Sequence, residues 1–440
     1  MINSLFIHNF IKKNHLFLLL FFFLVSRLII YNFFQIKINE PSYGYHLLDI
    51  SLLQNDLFNS LFYLHAQPLL WNLFNGIIIK IFNANIELIS IFFNIYHYLL
   101  SLLIIYICIK ILKEFYTNKK VELFIFFFIA LNPSIIFFEN IFSYAHTTLC
   151  FFTLTTYNII KFFKSNDSKY ELYIYVNLLI LIMIWVLFQP IVLLLIFLII
   201  RLLAKTSKKI IFIFFIIFLM SLTPMIKNKL IFDTFTSSTI SGQGFGTVFY
   251  DWQEYCGHPM NDKDYFTKKY FKKYNKHFDH PALVGEKSKF NNIGIIVLGE
   301  NCFKMTLNRI FDEPLIYIEG RARAFLASHG KFAFDYMYPN PIGWKKFYNY
   351  LDNLYKNKKI KLFRQILIFS IMMYIYFTIL YFLILKKNEM KLRKGLFLSA
   401  VLYAYLLSVG TLAAGTEQER ILYTGFVINV LFFILFFRKI

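Results

Sequence analysis

Three carboxylates in one polar segment, residues 35–85, are the side chains best placed to do chemistry. Asp49 and Asp56 are seven residues apart in a stretch of helical periodicity, and seven residues make nearly two turns. We therefore predict one helix over 45–63 with both carboxylates on its polar face. Glu40 precedes this helix, and a second helix is predicted to begin after Pro68 and to end near Phe82. Because a carboxylate within about 3 Å of a hydroxyl can remove its proton, Glu40 and Asp49 are equal candidates for a general base, ahead of Asp56.

A second polar segment, residues 227–361, is basic: it holds 21 Lys or Arg and 13 Asp or Glu. A surplus of this kind suits the binding of phosphate groups, and a covering of solvated lysines explains it equally well. Within this segment, 292–328 predicts two helices broken at Pro314. Chemistry is therefore expected in the two polar segments rather than in the apolar runs between them.

The rest of the chain is too apolar for a soluble protein. Its 440 residues are 58% hydrophobic and only 16% charged, with a mean hydropathy of +0.56. In soluble chains about half of the residues are hydrophobic and about a quarter are charged. A bilayer core about 30 Å thick needs roughly 20 apolar residues per helix. We predict an all-α integral membrane protein with about ten spans, at 14–34, 86–110, 121–138, 141–163, 171–189, 190–204, 209–226, 364–385, 395–414 and 421–437.

The distribution of charge predicts the orientation of these spans. With a cytoplasmic amino terminus, the short inner loops hold twenty cations and the short outer turns hold one, Arg420. The inner cations are Lys12, Lys13, Lys110, Lys113, Lys119, Lys120, Lys161, Lys164, Lys169, Arg201, Lys205, Lys208, Lys209, Lys386, Lys387, Lys391, Arg393, Lys394, Arg438 and Lys439. Both termini are then cytoplasmic, and both polar segments lie outside. The net charge of +21 follows from these loop lysines and does not indicate nucleic acid as a partner.

This topology predicts three parts. Residues 1–226 form an amino-terminal membrane module with the first outer segment inside it, 227–361 form a mostly helical outer subdomain, and 362–440 form the last membrane helices. No small-residue cleavage site follows the first apolar run, so we predict an uncleaved first span.

The cysteines and glycines exclude two kinds of site. No CxxC or His/Cys ligand spacing is present, so a thiol-bound structural metal is not expected. Glycines alternate in 241–246 without the GxGxxG spacing, which argues against a dinucleotide site and favours a flexible outer loop. Cys256 and Cys302 both lie in the outer subdomain, where an oxidising compartment would permit a disulfide bond. The sequence leaves open whether they pair.

The order of these features resembles the GT-C superfamily of membrane glycosyltransferases, and within it the family-39-like enzymes that include protein O-mannosyltransferases and the lipid A aminoarabinose transferase. The matching residues are Glu40-x-x-Tyr43, Tyr63-Leu-His65-Ala-Gln67-Pro68-Leu69, Asn132-Pro133, Glu139 with Tyr144, and Glu417-Gln-Glu-Arg420. The likeness covers about the first 160 residues well and the remainder by topology. Two positions depart from the family pattern: Asn39-Glu40 replaces an Asp-Glu pair, and Leu69 replaces the second proline of His-x-Pro-Pro.

The resemblance implies a bacterial inner-membrane enzyme that takes a sugar from a polyprenyl-phosphate donor at the outer leaflet and transfers it, with inversion, to a glycan, lipid or protein. It implies no fixed cofactor, although some relatives use a divalent cation. Its catalytic carboxylates would be Glu40, Asp49 and Glu139. Its substrate-binding residues would be Tyr43, Asp56, His65, Gln67, Lys227, Asn228, Arg321, Arg323 and Arg420. The cations among them would stabilise the leaving lipid phosphate.

Each of these assignments has a simpler alternative. His65 is suited to a structural hydrogen bond at a helix start, Glu139 to plain exposure at the membrane interface, and Arg27 in the first span to an ion pair inside the bundle. Two other functions stay open. One is a glycolipid flippase or transporter, for which broken helices and mid-membrane charges are the expected signs. The other is an enzyme like the O-antigen polymerases or ligases, which would depend on arginines of the outer subdomain.

Overall fold

The computed structural model describes residues 15–36, 38, 46–115, 119–205, 207–246, 256, 279–330, 391–413 and 423–437. Throughout these residues the fold is all-helical, as predicted. The helices are α1 His15–Phe34, α2 Ile50–Asn55, α3 Leu57–Phe62, α4 Leu69–Ile81, α5 Ile86–Lys113, α6 Lys119–Ala130, α7 Pro133–Glu139, α8 Ala145–Ser165, α9 Ser168–Ile184, α10 Pro190–Leu203, α11 Lys208–Phe232, α12 Ser241–Gly246, α13 Gly294–Asp312, α14 Pro314–Gly330, α15 Lys391–Ala413 and α16 Phe426–Phe437.

Two of the described helices, α5 and α11, are long and apolar enough to cross a membrane by length and composition. Shorter apolar helices lie at Leu19–Phe34, Leu69–Ile81 and Pro190–Leu203. Helices occupy most of the other predicted spans, but several are short: α6 and α16 have 12 residues each and α9 has 17. The predicted span at 364–385 lies outside the described residues.

The apolar run at 121–138 is divided into two helices. Asn132 ends the first part and begins the second, because its side chain accepts hydrogen bonds from the backbone N–H groups of Ser134 (2.9 Å) and Ile135 (3.4 Å). Pro133 follows at the first helical position, where a missing N–H costs nothing. The sequence Asn132-Pro133 therefore accounts for the break between α6 and α7.

The first outer segment contains two short helices rather than one. Asp56 has φ −141° and ψ 54°, which ends α2 and starts α3, so the prediction of a continuous helix over 45–63 is wrong. The apolar residues of the predicted helix do not share one environment either: Leu57 packs into the core, whereas Phe58 is 78% exposed. The helix predicted to begin after Pro68 is confirmed as α4.

Charged contacts connect the helix ends that the sequence assigns to the cytoplasm. Glu114, just after α5, pairs with Lys161 and Lys164 at the end of α8, both at 2.6 Å. Lys394 in α15 donates to the carbonyl of Leu203 at the end of α10 (2.9 Å). The ends of α5 and α8 therefore lie together, and the start of α15 lies beside the end of α10.

Candidate functional site

The two polar segments, 35–85 and 227–361, meet at a buried junction around Asn291. Its Oδ1 accepts hydrogen bonds from the backbone N–H groups of His65 (2.9 Å) and Ala66 (3.1 Å). Its Nδ2 donates to the carbonyls of Tyr63 (3.1 Å) and Ala282 (2.9 Å). One amide side chain therefore satisfies four backbone groups and fixes the chain before α4 against 282–291. Nothing in the sequence distinguishes this asparagine from the others.

His65 belongs to the same junction. Its Nε2 lies 2.9 Å from the carbonyl oxygen of Asn291, which can only accept, so Nε2 carries the proton and donates. Its Nδ1 then accepts from the hydroxyl of Thr239 (2.7 Å). Burial and the charge of Lys227 lower the pKa of His65 to about 3, against a raising contribution from its hydrogen bond with Asn291. The ring is neutral and both of its nitrogens are bonded within the protein, as the structural alternative for His65 predicts.

Replacing Asn291 by alanine is expected to loosen this junction strongly. The change leaves several buried backbone groups without partners, and each such group costs about 1–3 kcal/mol. The loss should appear as a lower thermal unfolding temperature of the detergent-purified protein. The matched control is Asn292→Ala, because the neighbouring side chain is only partly buried and bonds locally to Gly294 and Ser288. Equal unfolding temperatures for the two variants would show that Asn291 does not stabilise the junction.

The other substrate-binding candidates near the junction are also engaged with the protein. Lys227 donates its ammonium to the carbonyl of Leu64. Asn228 is buried and donates to the carbonyl of Thr236 (2.8 Å). Gln67 is 5% exposed, and among the described residues its Nε2 lies 3.4 Å from a ring nitrogen of His46. The three side chains stabilise the outer segments, and only Lys227 is partly accessible.

Asp49 lies at the rim of the same region, as the N-cap of α2. Its carboxylate accepts from the N–H (2.9 Å) and hydroxyl (2.6 Å) of Ser51 and pairs with the ammonium of Lys289 (3.1 Å). The side chains are 21% and 32% exposed. Burial would raise the pKa of Asp49, but the bonds from Ser51 and Lys289 outweigh it and lower that pKa. Asp49 is therefore ionised at neutral pH and reachable from solvent.

Asp56 faces a different neighbour. Its carboxylate lies 2.9 Å from the Nε2 of His280 and also accepts from the side chain of Asn59 (2.9 Å). Because α2 and α3 are separate helices, Asp49 and Asp56 do not share one helical face, and that prediction is wrong. Each carboxylate instead joins the first outer segment to a different residue of 279–291.

Glu139 lies inside the helical bundle and is 0% exposed. The alternative prediction that it is simply exposed at the membrane interface is therefore wrong. Arg27 contacts both carboxylate oxygens at 2.7 Å, which confirms the predicted ion pair inside the bundle. Tyr31 donates to Oε2 (2.9 Å), and Ser101 donates to Oε1. All four of these contacts hold the carboxylate away from any solvent, so Glu139 cannot touch a substrate in this conformation.

A chain of hydrogen bonds continues from Glu139 across the bundle. Since the hydroxyl of Ser101 donates to Glu139, its oxygen accepts from the Nε2 of His146 (2.9 Å), whose Nδ1 accepts from the hydroxyl of Tyr423 (2.5 Å). The backbone carbonyl of Glu139 also accepts from the Nδ1 of His97 (2.9 Å). The network joins four helices, α1, α5, α7 and α8, to Tyr423, which precedes α16.

Arg321 is the one predicted anion-binding arginine whose side chain is described. It is 4% exposed, donates Nη2 to the carbonyl of Phe245 (2.7 Å) and lies over the ring of Tyr317 at 5.0 Å. Within the described part of the chain, its Nε and Nη1 have no hydrogen-bond acceptor. Glu40, Tyr43, Arg420 and the side chain of Arg323 lie outside the described residues.

Cys256 and Cys302 form a disulfide bond, buried against Leu298, whereas Cys108 and Cys150 are free and buried. We expect maleimide labelling of the denatured protein to find two thiols without reductant and four with it, because only the bridged pair requires reduction. Intact mass spectrometry measures this directly. Four labelled thiols without reductant would show that the bond does not form.

No group of three or more His, Cys, Asp or Glu side chains that could hold a metal ion occurs among the described residues. Comparisons with protein-family models, curated proteins and solved structures found no match for this chain.

Proposed function

We propose that the chain is a multi-pass inner-membrane protein with about ten spans and cytoplasmic termini. Large apolar side chains face outward on several helices, including Phe33 (76% exposed) in α1, Leu99 (60%) in α5, Leu202 (84%) in α10 and Leu230 (74%) in α11. A soluble monomer rarely exposes so much apolar surface, whereas lipid covers it without cost. Glu114 pairs with Lys161 and Lys164 at the ends of α5 and α8 that the charge distribution assigns to the cytoplasm, which supports this orientation.

Its proposed activity is inverting transfer of a sugar from a polyprenyl-phosphate donor to an acceptor on the outer side. The observation that carries this proposal is the pair Asp49–Lys289, an ionised carboxylate and an ammonium that two separate outer segments bring within 3.1 Å, both partly exposed. Transfer requires this combination, because one group must take a proton and the other must stabilise a phosphate.

In the proposed reaction the acceptor oxygen attacks the anomeric carbon while its proton passes to a carboxylate. The bond between the sugar and the lipid phosphate breaks, and the phosphate leaves with the bonding electrons. A single displacement of this kind inverts the anomeric centre. The carboxylate is Asp49 or Glu40, and the cation for the phosphate is Lys289. Arg321 is a second candidate donor, because its Nε and Nη1 have no hydrogen-bond acceptor among the described residues.

The resting pair also explains how the base could be activated. While Lys289 holds Asp49, the pKa of that carboxyl is low and it is a weak base. A donor phosphate that draws the ammonium away removes this stabilisation and raises the basicity of Asp49. The same low pKa that makes Asp49 a weak base stabilises the folded protein at neutral pH. This contribution to stability is lost only as the pH falls below the ordinary carboxyl range.

Replacing Lys289 by glutamine is expected to weaken donor binding by about tenfold or more, since a hydrogen bond to a charged group contributes about 1.5–3 kcal/mol. The measurement is the KM for a polyprenyl-phosphate sugar, with Lys289→Arg expected to restore most of the affinity. Lys287→Gln is the matched control, because this exposed lysine lies two residues away. Unchanged KM in the Lys289→Gln variant would remove Lys289 from the donor site.

The activity itself is tested by incubating the purified protein with a panel of polyprenyl-phosphate sugars and measuring free lipid phosphate. Release that depends on an added acceptor supports transfer. No release from any donor, in protein that is folded, would contradict the proposed enzyme.

A second candidate function is a glycolipid carrier, which one observation favours. Transporters often place ionisable groups and broken helices at mid-membrane, and here the break between α6 and α7 lies beside the buried Arg27–Glu139 pair. A carrier would move a fluorescent lipid-linked sugar across vesicle membranes without releasing lipid phosphate, so the same preparation distinguishes the two functions.

A further inference from the structure

The outer subdomain exposes an unusual ridge of apolar side chains on α13 and α14. Phe303, Leu307 and Phe311 follow one another every four residues along α13 and are 45%, 40% and 82% exposed. Leu315 (78%) and Ile318 (61%) continue the ridge beyond Pro314. Residues four apart lie on the same side of a helix, so the three side chains of α13 share one face. The α13–α14 elbow, 294–330, is the pair of helices joined at Glu313 and Pro314.

Both ends of this elbow are attached to helices of the proposed membrane bundle. The beginning of α13 packs through Ile293, Ile296 and Val297 against Phe232, the last residue of α11. At the other end, α14 contacts α15. In the topology proposed above, a segment attached to the outer end of α11 and to α15 lies next to the outer lipid headgroups.

Polar and charged side chains border the ridge on one side. Lys304 and Asn308 are both exposed on the strip of α13 next to Phe303 and Leu307. A ridge of large apolar groups beside an exposed lysine matches a surface that contacts acyl chains and lipid phosphates together. The opposite side of α13 is covered by the protein, since Cys302 and Thr306 are buried.

We propose that the α13–α14 elbow inserts its apolar ridge into the outer leaflet, with a lipid surface as its partner. The ridge follows one face of α13 and its continuation in α14, whereas a stable protein interface buries about 800 Å² on each partner. Leu230, near the end of the helix that α13 packs against, is also 74% exposed. The insertion does not depend on the sugar transfer proposed above, and it would hold the outer subdomain close to any lipid-linked substrate.

Site-directed spin labelling tests the insertion. A nitroxide is attached to Phe311→Cys in proteoliposomes of phosphatidylethanolamine and phosphatidylglycerol, and its collisions with oxygen and with a water-soluble nickel chelate are compared. The native thiols Cys108 and Cys150 are buried, and Cys256 and Cys302 are bridged, so the new thiol is the reactive one. The control is Asn308→Cys, three residues away on the polar strip.

Oxygen should relax the label at Phe311→Cys more strongly than the chelate does, and the order should reverse at Asn308→Cys. If the chelate reaches both labels equally, the ridge lies in water and the proposal is overturned. If neither reagent reaches the Phe311→Cys label, protein covers the ridge, which also overturns it. Should Phe311→Cys fail to fold, Leu315→Cys gives the same comparison on the other side of Pro314.

Discussion

Replacing Glu139 by leucine is expected to lower the free energy of unfolding by about 3–5 kcal/mol, because it leaves the guanidinium of Arg27 buried without its counter-ion. The same change removes the acceptor for Tyr31 and Ser101, so two hydroxyls lose their partner as well. The measurement is a denaturant titration of the detergent-purified protein that follows helical circular dichroism.

The double variant Arg27→Met with Glu139→Leu separates the ion pair from the surrounding packing. When both charges are replaced by apolar groups of similar size, much of the lost stability should return, since such replacement is often neutral. The control is Lys229→Ala, which removes an exposed ion pair with Asp233. Its free energy of unfolding is expected to change by less than about 1 kcal/mol. Additive losses in the double variant would show that the two side chains do not act as a pair.

The second large effect concerns the carboxylate that takes the acceptor proton. If Asp49 is the base, Asp49→Asn should lower kcat by about 100- to 10,000-fold; if Glu40 is the base, the loss falls on Glu40→Gln instead. Asparagine is as good an N-cap as aspartate, so Asp49→Asn keeps the cap of α2 and separates catalysis from stability.

A matched control for this substitution lies at the other end of the bundle. Asp167 is also an N-cap, accepts from the N–H of Lys169 and pairs with its ammonium at 3.0 Å. Asp167→Asn changes a cap and an ion pair of the same kind, far from the outer segments. Transfer at the wild-type rate is expected in this variant, and an equal loss would point to a general defect of folding.

Much of the helical order is predictable from the sequence, because apolar run length and capping residues are local properties. α1 begins and ends within a residue of the run at 14–34, and Pro68 precedes α4 as its position predicts. The break at Asn132-Pro133 also has a local signal, although the long apolar run around it favoured a single span.

The groups that the fold brings together are less predictable, since they depend on contacts between distant parts of the chain. Arg27 and Glu139 are 112 residues apart. The sequence predicts an ion pair inside the bundle for Arg27 but does not identify its partner, and Glu139 alone fits interfacial exposure as well as burial. His65 and Asn291 are 226 residues apart, and Lys289 is one of 21 basic residues in its segment. The break at Asp56 depends on tertiary packing of Leu57, which periodicity alone does not reveal.

The proposed mechanism depends most on a carboxylate of residues 35–85 acting as the base. The direct measurement is single-turnover transfer from a radiolabelled polyprenyl-phosphate sugar by the wild-type protein and by the combined Glu40→Gln and Asp49→Asn variant, with donor binding measured in parallel. We predict that the variant binds the donor and transfers no sugar. Transfer by the variant at the wild-type rate would contradict the mechanism.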